Sequence, residues 1–229
     1  TSITAIRTAA VSGVATRLLA REDAGDLAIL GSGVQARTHL EAMRCVRRIR
    51  RVRVWSRNAE NSRAFAARES RRQGVAIEAA ASARDAVAGA DLICTATSAR
   101  APILHGEWIS PGAHVNAVGS SVPSSRELDG DAVRRSRLYA DRRESLENEG
   151  GDFLLAKKEG KVGDGHVVGE IGEVAIGRAP GRRSPDEITL FKSLGLAVED
   201  VASAKHIYDR ARASGAGRML EFGGHREAS

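Results

Sequence analysis

The sequence predicts an α/β protein with a mainly parallel, doubly wound sheet and helices on both of its faces. Two observations predict this class. Short apolar runs, such as 26–30 (DLAIL) and 91–97 (DLICTAT), alternate with helical patterns along the chain, as they do in βαβ units. These runs are almost continuously apolar, which is typical of parallel strands that helices cover on both sides.

The predicted elements begin with an amphipathic helix over 4–20, which places Ile6, Ala10, Val14 and Leu18 on one face. Strands are predicted at 26–30, 51–56, 75–80, 91–97, 114–119, 137–141 and, with a closing turn, 188–195. Helices are predicted at 34–47, 59–73, 83–90, 129–136, 143–158, 168–178 and 197–214. The Pro, Gly and Arg residues of 177–187 predict a loop.

The composition is that of an ordinary globular protein, with 42% hydrophobic and 28% charged residues. No apolar run reaches the roughly 18 residues of a membrane span, and no secretory signal pattern is present. Cys45 and Cys94 have no disulfide or metal spacing, and neither do the histidines. We therefore expect a cytoplasmic protein with reduced thiols, no bound metal and no membrane partner.

The basic run 44–57, in a chain of net charge +6, raises the possibility of a nucleic-acid partner. Aromatic residues make up only 3% of the chain, which is too few for base stacking. The simpler interpretation is a solvated helix end followed by a strand. We therefore expect no nucleic-acid partner.

A glycine turn between the strand 26–30 and the next helix carries the strongest chemical signal. Gly31, Gly33 and Ala36 form G-x-G-x-x-A, the pattern of a Rossmann-type dinucleotide-binding turn. Gly31 permits the sharp turn, Gly33 lets a pyrophosphate approach the backbone, and Ala36 lets helix and strand pack closely. The first helix amides then face the phosphates. The alternative is a tight turn that serves only packing.

The next strand ends in Ser56, Arg57 and Asn58, where an enzyme that reads the ribose 2′-hydroxyl usually has Asp or Glu. An arginine there can pair with a 2′-phosphate. We therefore expect NADP(H) to be preferred, with NAD(H) possible; one more surface arginine is the alternative. Two further strand ends are expected near the nicotinamide half, and the residues predicted there are Thr95, Ala96, Thr97, Val118 and Gly119.

Five stretches together resemble the ornithine cyclodeaminase/mu-crystallin family, which also includes an alanine dehydrogenase and cyclic imine reductases. They are RTAAVSGVATRLLA (7–20), GSGVQARTH (31–39), HVNAVGSSVPSSREL (114–128), GEIGEVAIGRAPGR (169–182) and ITLFKSLGLAVEDVASA (188–204). The resemblance implies a two-domain homodimer of which the chain lacks an N-terminal part of roughly one hundred residues. It implies a hinge helix at 1–22, a Rossmann NAD(P)-binding domain at 23–196, and a C-terminal helix at 197–229. The first and last segments are then remnants of a substrate and dimerisation domain.

The resemblance also implies site residues. Arg7 matches an arginine of the family that binds the substrate carboxylate, whereas an exposed helix arginine is the alternative. Ser121 stands where ornithine cyclodeaminases have a catalytic aspartate, and a hydroxyl cannot carry that charge. Lys192 and Ser193 resemble the mu-crystallin and imine reductase branch. The cofactor contacts that complete the prediction are Ser32, Val34, Gln35, Ser193 and Gly195.

These expectations combine into an NAD(P)H-dependent oxidoreductase that reduces a small cyclic imino acid (a ketimine) or an α-keto acid with an amine. One alternative is an ornithine cyclodeaminase, which is an ammonia-lyase that forms proline, or an alanine-dehydrogenase-like enzyme. Another is a non-catalytic, NADPH-binding, mu-crystallin-like protein. Two further candidates have simpler interpretations: Asp141 as the cap of the helix that follows it, and Cys94 as a packing residue.

Overall fold

The computed structural model describes residues 2–218 and residue 220. Residue 1 of the predicted segment 1–22, and residues 219 and 221–229 of the predicted segment 197–229, lie outside the described residues. The strands are β1 (Asp26–Leu30), β2 (Arg51–Trp55), β3 (Ile77–Ala79), β4 (Leu92–Thr95), β5 (His114–Ala117), β6 (Ser136–Ala140), β7 (Val167–Glu170) and β8 (Ile188–Lys192). The helices are α1 (Ser2–Leu19), α2 (Val34–Val46), α3 (Ala59–Gln73), α4 (Ala83–Val87), α5 (Gly130–Arg135), α6 (Arg143–Glu149), α7 (Gly151–Lys158), α8 (Ile171–Ala175) and α9 (Ala197–Ser214).

In the described chain these strands form one parallel sheet of eight strands, in the order β3-β2-β1-β4-β5-β8-β6-β7. Both faces are covered, because alternate residues of one strand belong to different cores. Ala28 and Leu30 of β1 belong to the core that contains residues of α4, α5 and α7, whereas Leu27 and Ile29 belong to the core that contains residues of α2 and α3. The predicted α/β class with a doubly wound parallel sheet is confirmed.

Two predicted helices are wrong in part. The stretch predicted as one helix at 168–178 begins with the edge strand β7, and only Ile171–Ala175 is helical. Glu170 and Glu173 form a capping box that starts this helix, so the chain is extended up to Glu170. The helix predicted at 143–158 is broken at Gly150, which has the non-helical ψ of 78° and separates α6 from α7.

The predicted apolar face of α1 is not the face that packs. Ile6 is 59% and Val14 46% exposed, whereas the buried side of the helix consists mostly of Ala, Ser, Thr and Gly. The small residues face the core because they let α1 lie close to α2. A Cβ on Gly13 would lie 3.6 Å from Val46 Cγ1. Hydrogen bonds complete this contact, since His39 Nε2 lies 3.0 Å from Ser12 Oγ.

Three further observations concern membrane spans, metal ligands and thiols in the described part of the chain. Within residues 2–218, every helix is too short or too polar to span a lipid bilayer. No three His, Cys, Asp or Glu side chains in that range come together as a set that could hold a metal ion. Cys45 and Cys94 are free thiols, the first exposed and the second buried.

Candidate functional site

The sheet has a crevice at the carboxyl ends of β1 and β4. These two strands are neighbours, and the chain continues from β1 to β2 on one side and from β4 to β5 on the other. The connections therefore leave in opposite directions, and this switch point is where open parallel sheets bind their ligands. A cleft of about 310 Å³ opens there, which is within the size range of small-molecule sites.

Half of the residues predicted to contact a cofactor line this cleft. They are Gly31, Ser32, Gly33, Ser56, Arg57, Asn58, Ala96 and Thr97. Five other residues line the cleft, and they are Trp55, Asn61, Ser98, Ala99 and Ile103. Trp55 and Ser98 adjoin predicted contacts at the ends of β2 and β4. No pattern in the sequence distinguishes Asn61, Ala99 or Ile103.

The two glycines of the turn have different surroundings. Only glycine fits at residue 31, whereas residue 33 faces open space. Gly31 has φ +127°, and a Cβ there would collide with the Ala96 carbonyl oxygen. At Gly33 a Cβ would meet nothing within 4 Å. Gly33 is also the N-cap of α2 and makes no side-chain capping bond. The first helix amides are therefore available to an anion in front of Gly33, and these residues fit the pyrophosphate of a dinucleotide.

The β2 end of the cleft carries a positive charge. Arg57 is exposed and forms no ion pair or hydrogen bond within residues 2–218. Asn58 is already used, because its side chain accepts the Glu60 N–H at 2.8 Å as the cap of α3. The Ser32 hydroxyl donates a hydrogen bond to the Ser56 hydroxyl across the turn, with 3.2 Å between the two Oγ atoms. None of the residues that line the cleft is acidic, so the site suits an anionic ligand.

The other predicted contacts lie outside the cleft. In α2, Ala36 is fully buried against β1, Val34 is 60% exposed, and Gln35 accepts a hydrogen bond from Thr38. At the ends of β4 and β5, Thr95 is buried and Val118 and Gly119 are half-buried. Ser121 is exposed, and it follows Ser120, whose φ is +60°.

The turn after β8 is held by Asp141. Its Oδ2 accepts the N–H of Leu194 at 2.6 Å and that of Gly195 at 2.5 Å. The predicted cap of the following helix is wrong, because the N-cap of α6 is Arg142, without a side-chain capping bond. Ser193, just before this turn, is buried, and its hydroxyl has no hydrogen-bond partner among the described residues.

Arg7 lies against the same turn. A Cβ on Gly195 would come within 2.5 Å of Arg7 Nη1. The guanidinium is held by two acids of α9, with Nη1 3.1 Å from Glu199 Oε2 and Nε 3.4 Å from Asp200 Oδ1. Burial and the nearby charge of Asp141 raise the pKa of Glu199, and the Arg7 charge opposes them. Arg7 is therefore a partnered residue rather than an exposed helix arginine.

A buried charged group that the sequence did not indicate lies beneath the ends of β4 and β5. Glu127 is fully buried, and Asp152 and Lys192 are almost so. These residues are far apart in the sequence, and neither Glu127 nor Asp152 belongs to a motif of known chemistry. Glu127 and Lys192 gave a signal only through the family resemblance, because they lie in the stretches 114–128 and 188–204, and Asp152 gave none.

The fold and the cleft together define a Rossmann-type α/β protein with a glycine turn at its switch point. The family model described as "Ornithine cyclodeaminase/mu-crystallin family" matches residues 1–215, and the chain belongs to that family. The predicted family is thus confirmed.

Three relatives show what this chain is similar to. Ketimine reductase mu-crystallin of Mus musculus is 46% identical over 207 residues, which are 90% of this chain and 62% of that protein. The structure of Thermococcus litoralis Δ(1)-pyrroline-2-carboxylate reductase, in complex with NADH and L-proline, has a TM-score of 0.93 and 44% identity over 96% of this chain and 68% of that one. An archaeal alanine dehydrogenase dimer with bound NAD has a TM-score of 0.90 and 33% identity, over 97% of this chain and 68% of that one. The chain thus spans less than two thirds of the mouse protein.

Proposed function

We propose that the cleft binds a nicotinamide dinucleotide and that the chain forms the cofactor-binding part of an oxidoreductase that reduces the C=N bond of a small cyclic imino acid. The observation that carries this proposal is the open space at Gly33 in front of the uncapped α2 amides. The reductase names and bound NADH and NAD of the relatives support it. The bound dihydronicotinamide would supply the hydride.

The chain's own residues would bind and orient the reactants. The α2 amides and Ser32 would hold the pyrophosphate, and Thr97 and Gly119 would border the nicotinamide end. We propose that Arg7 binds the substrate carboxylate. A guanidinium has five N–H donors, so its contacts with Glu199 and Asp200 leave donors for a third carboxylate. The bound L-proline of the Thermococcus reductase, a cyclic amino acid, supports this substrate class.

We propose NADP(H) as the preferred cofactor because the exposed Arg57 is free to pair with a 2′-phosphate. In the complete protein we further propose a homodimer in the cytoplasm, with 23–196 as the Rossmann domain between a hinge helix and a returning C-terminal helix. The dimer named among the relatives and the two free thiols support these points.

Fluorescence titration of the chain with NADPH and with NADH tests the cofactor proposal. Arg57→Ala should weaken NADPH binding about tenfold and leave NADH binding within about twofold, as expected for the loss of one charged contact. Arg63→Ala, which removes an exposed arginine of α3 outside the cleft, should change neither. Equal losses for both cofactors would contradict a 2′-phosphate contact, and no binding of either would reject the cleft as a dinucleotide site.

The reaction is tested in a complete protein that carries this chain. Reduction of Δ(1)-pyrroline-2-carboxylate with NADPH is the expected result. Cofactor binding without reduction of any cyclic imino acid would favour the non-catalytic alternative. Ammonia release from ornithine is not expected, because position 121 is a serine.

A further inference from the structure

One buried carboxylate joins the ends of two strands at the cleft. Glu127 Oε1 accepts the Thr97 N–H at 2.6 Å and the Thr97 hydroxyl at 2.7 Å. Its Oε2 accepts the Thr95 hydroxyl at 2.7 Å and the Gly119 N–H at 2.8 Å. Thr95 ends β4, and Gly119 follows the end of β5. Glu127 therefore fixes the separation of the two strand ends beyond the last residues that the sheet itself pairs.

The Gly119 peptide is also held through its carbonyl group. The Gly119 carbonyl oxygen accepts a hydrogen bond from Lys192 Nζ. Lys192 also forms an ion pair with Asp152, with 2.8 Å between Nζ and Oδ2. Asp152 Oδ1 accepts the Glu127 N–H at 2.8 Å and the Leu128 N–H at 2.9 Å. The contacts thus close a ring that runs from Glu127 through Gly119, Lys192 and Asp152 back to Glu127.

This ring explains why residue 119 is a glycine. A Cβ there would lie 2.6 Å from Glu127 Oε2 and would also collide with the Thr97 carbonyl oxygen. The space next to Gly119 is thus filled by the carboxylate. Glycine is therefore required at residue 119 by its contacts with Glu127 and with the Thr97 carbonyl oxygen.

Burying the charges of Glu127, Asp152 and Lys192 lowers the stability of the fold, and their location therefore needs an explanation. Burial raises the pKa of Glu127, the negative charge of Asp152 adds to that effect, and Lys192 opposes it. Yet none of the three side chains lines the cleft. Two of the residues that Glu127 holds, Thr97 and Gly119, belong to the predicted cofactor site. The charges can therefore act on a ligand only through the backbone that they position.

We propose that Glu127, Asp152 and Lys192 are positioning residues that fix the Thr97 and Gly119 peptides against the nicotinamide end of the cofactor. This inference rests on the proposed function and deepens it. A reacting pair displaced by about 1 Å can lose about a hundredfold in rate. The adenosine and pyrophosphate ends lie on other elements, so the ring should affect the nicotinamide contact alone.

Glu127→Gln tests the proposal, because it keeps the shape and places an amide N–H₂ where an oxygen accepted hydrogen bonds. The probes are NADPH and 2′-phospho-ADP-ribose, which lacks the nicotinamide, or NADH and ADP-ribose if NADH binds more tightly. Glu127→Gln should raise the dissociation constant of the dinucleotide about fivefold and leave that of the fragment within about twofold. In the complete protein, kcat for imine reduction should fall about a hundredfold.

Glu69→Gln is the matched control, since Glu69 is an equally buried acid on α3 that is paired with Arg68 and lies outside the cleft. It should lower the melting temperature but change neither kcat nor the ratio of the two dissociation constants. Equal weakening of both ligands by Glu127→Gln, or an unchanged ratio and kcat, would overturn the proposal. Failure of the unaltered protein to bind either ligand would instead reject the proposed function.

Discussion

Arg7 in α1 and Glu199 in α9 form a largely buried ion pair, although 192 residues separate them in the sequence. Their side chains are 13% and 14% exposed, and Arg7 Nη1 lies 3.1 Å from Glu199 Oε2. No residue of α9 is buried. The helix therefore depends on this pair, and on Asp200 beside it, for its attachment to α1.

Arg7→Ala should detach α9, because it leaves Glu199 as a largely buried carboxylate without its partner. We expect the free energy of unfolding to fall by about 1–3 kcal/mol and amide exchange across 197–214 to become faster. Urea denaturation and hydrogen exchange measure the two effects. Arg17→Ala, an exposed arginine of the same helix, is the control. Equal effects of the two substitutions would show that the pair does not hold α9.

The two glycines of the turn should respond differently to alanine. Gly31→Ala should destabilise the fold by about 2–4 kcal/mol, because its φ of +127° is strained for any side chain and the Cβ collides with Ala96. Gly33→Ala should change the free energy of unfolding by less than about 1 kcal/mol, since its Cβ meets only open space.

The same Gly33→Ala variant should raise the dissociation constant of NADPH at least about tenfold, because its methyl group fills the space that we propose for the pyrophosphate. Thermal unfolding and cofactor titration of both variants check this pair of expectations. Normal cofactor binding by Gly33→Ala would place the phosphates elsewhere.

Stability should fall in mildly acidic solution because of two buried histidines. Burial lowers the pKa of His39 to about 4 and that of His114 to about 3, whereas in the unfolded chain both titrate near the ordinary value of 6.5. Below about pH 6.5 the unfolded chain binds protons that the folded chain excludes. Stability is therefore fully present above that pH and falls by up to about 1.4 kcal/mol per pH unit for each histidine.

Urea denaturation between pH 7.5 and pH 5 measures this slope. His39→Gln should remove roughly half of it, whereas His206→Gln, at an exposed position in α9, should leave it unchanged. A slope that His39→Gln does not alter would show that other groups cause the acid sensitivity.

The central strands and the glycine turn could be predicted because both are local patterns. The run 26–30 and the turn that follows it are complete within a dozen residues. The apolar face of α1 was predicted wrongly because periodicity finds large apolar residues, whereas the structure buries small ones against α2. Strand β7 was missed because an edge strand of four residues, of which only two are buried, lacks the continuous apolar character of the central strands.

The candidate site also has a part that local sequence predicts and a part that it does not. The glycine turn was predicted from one short motif, and the residues at the end of β2 were predicted from the next strand along the chain. The ring around Gly119 could not be predicted, because Glu127, Asp152 and Lys192 meet only after three separate elements have folded. The partner of Arg7 was missed for the same reason.

The position of β8 has a consequence for how the chain can fold. Although β8 is the last strand of the described chain, it lies between β5 and β6, and all five of its residues are buried. Until Ile188–Lys192 has been synthesised, β5 and β6 have no strand between them, and each presents an open, apolar edge. Assembly of the sheet must then wait for the last strand. A nascent chain stalled before Ile188 should be prone to aggregate, and one released a few residues after Lys192 should complete the sheet.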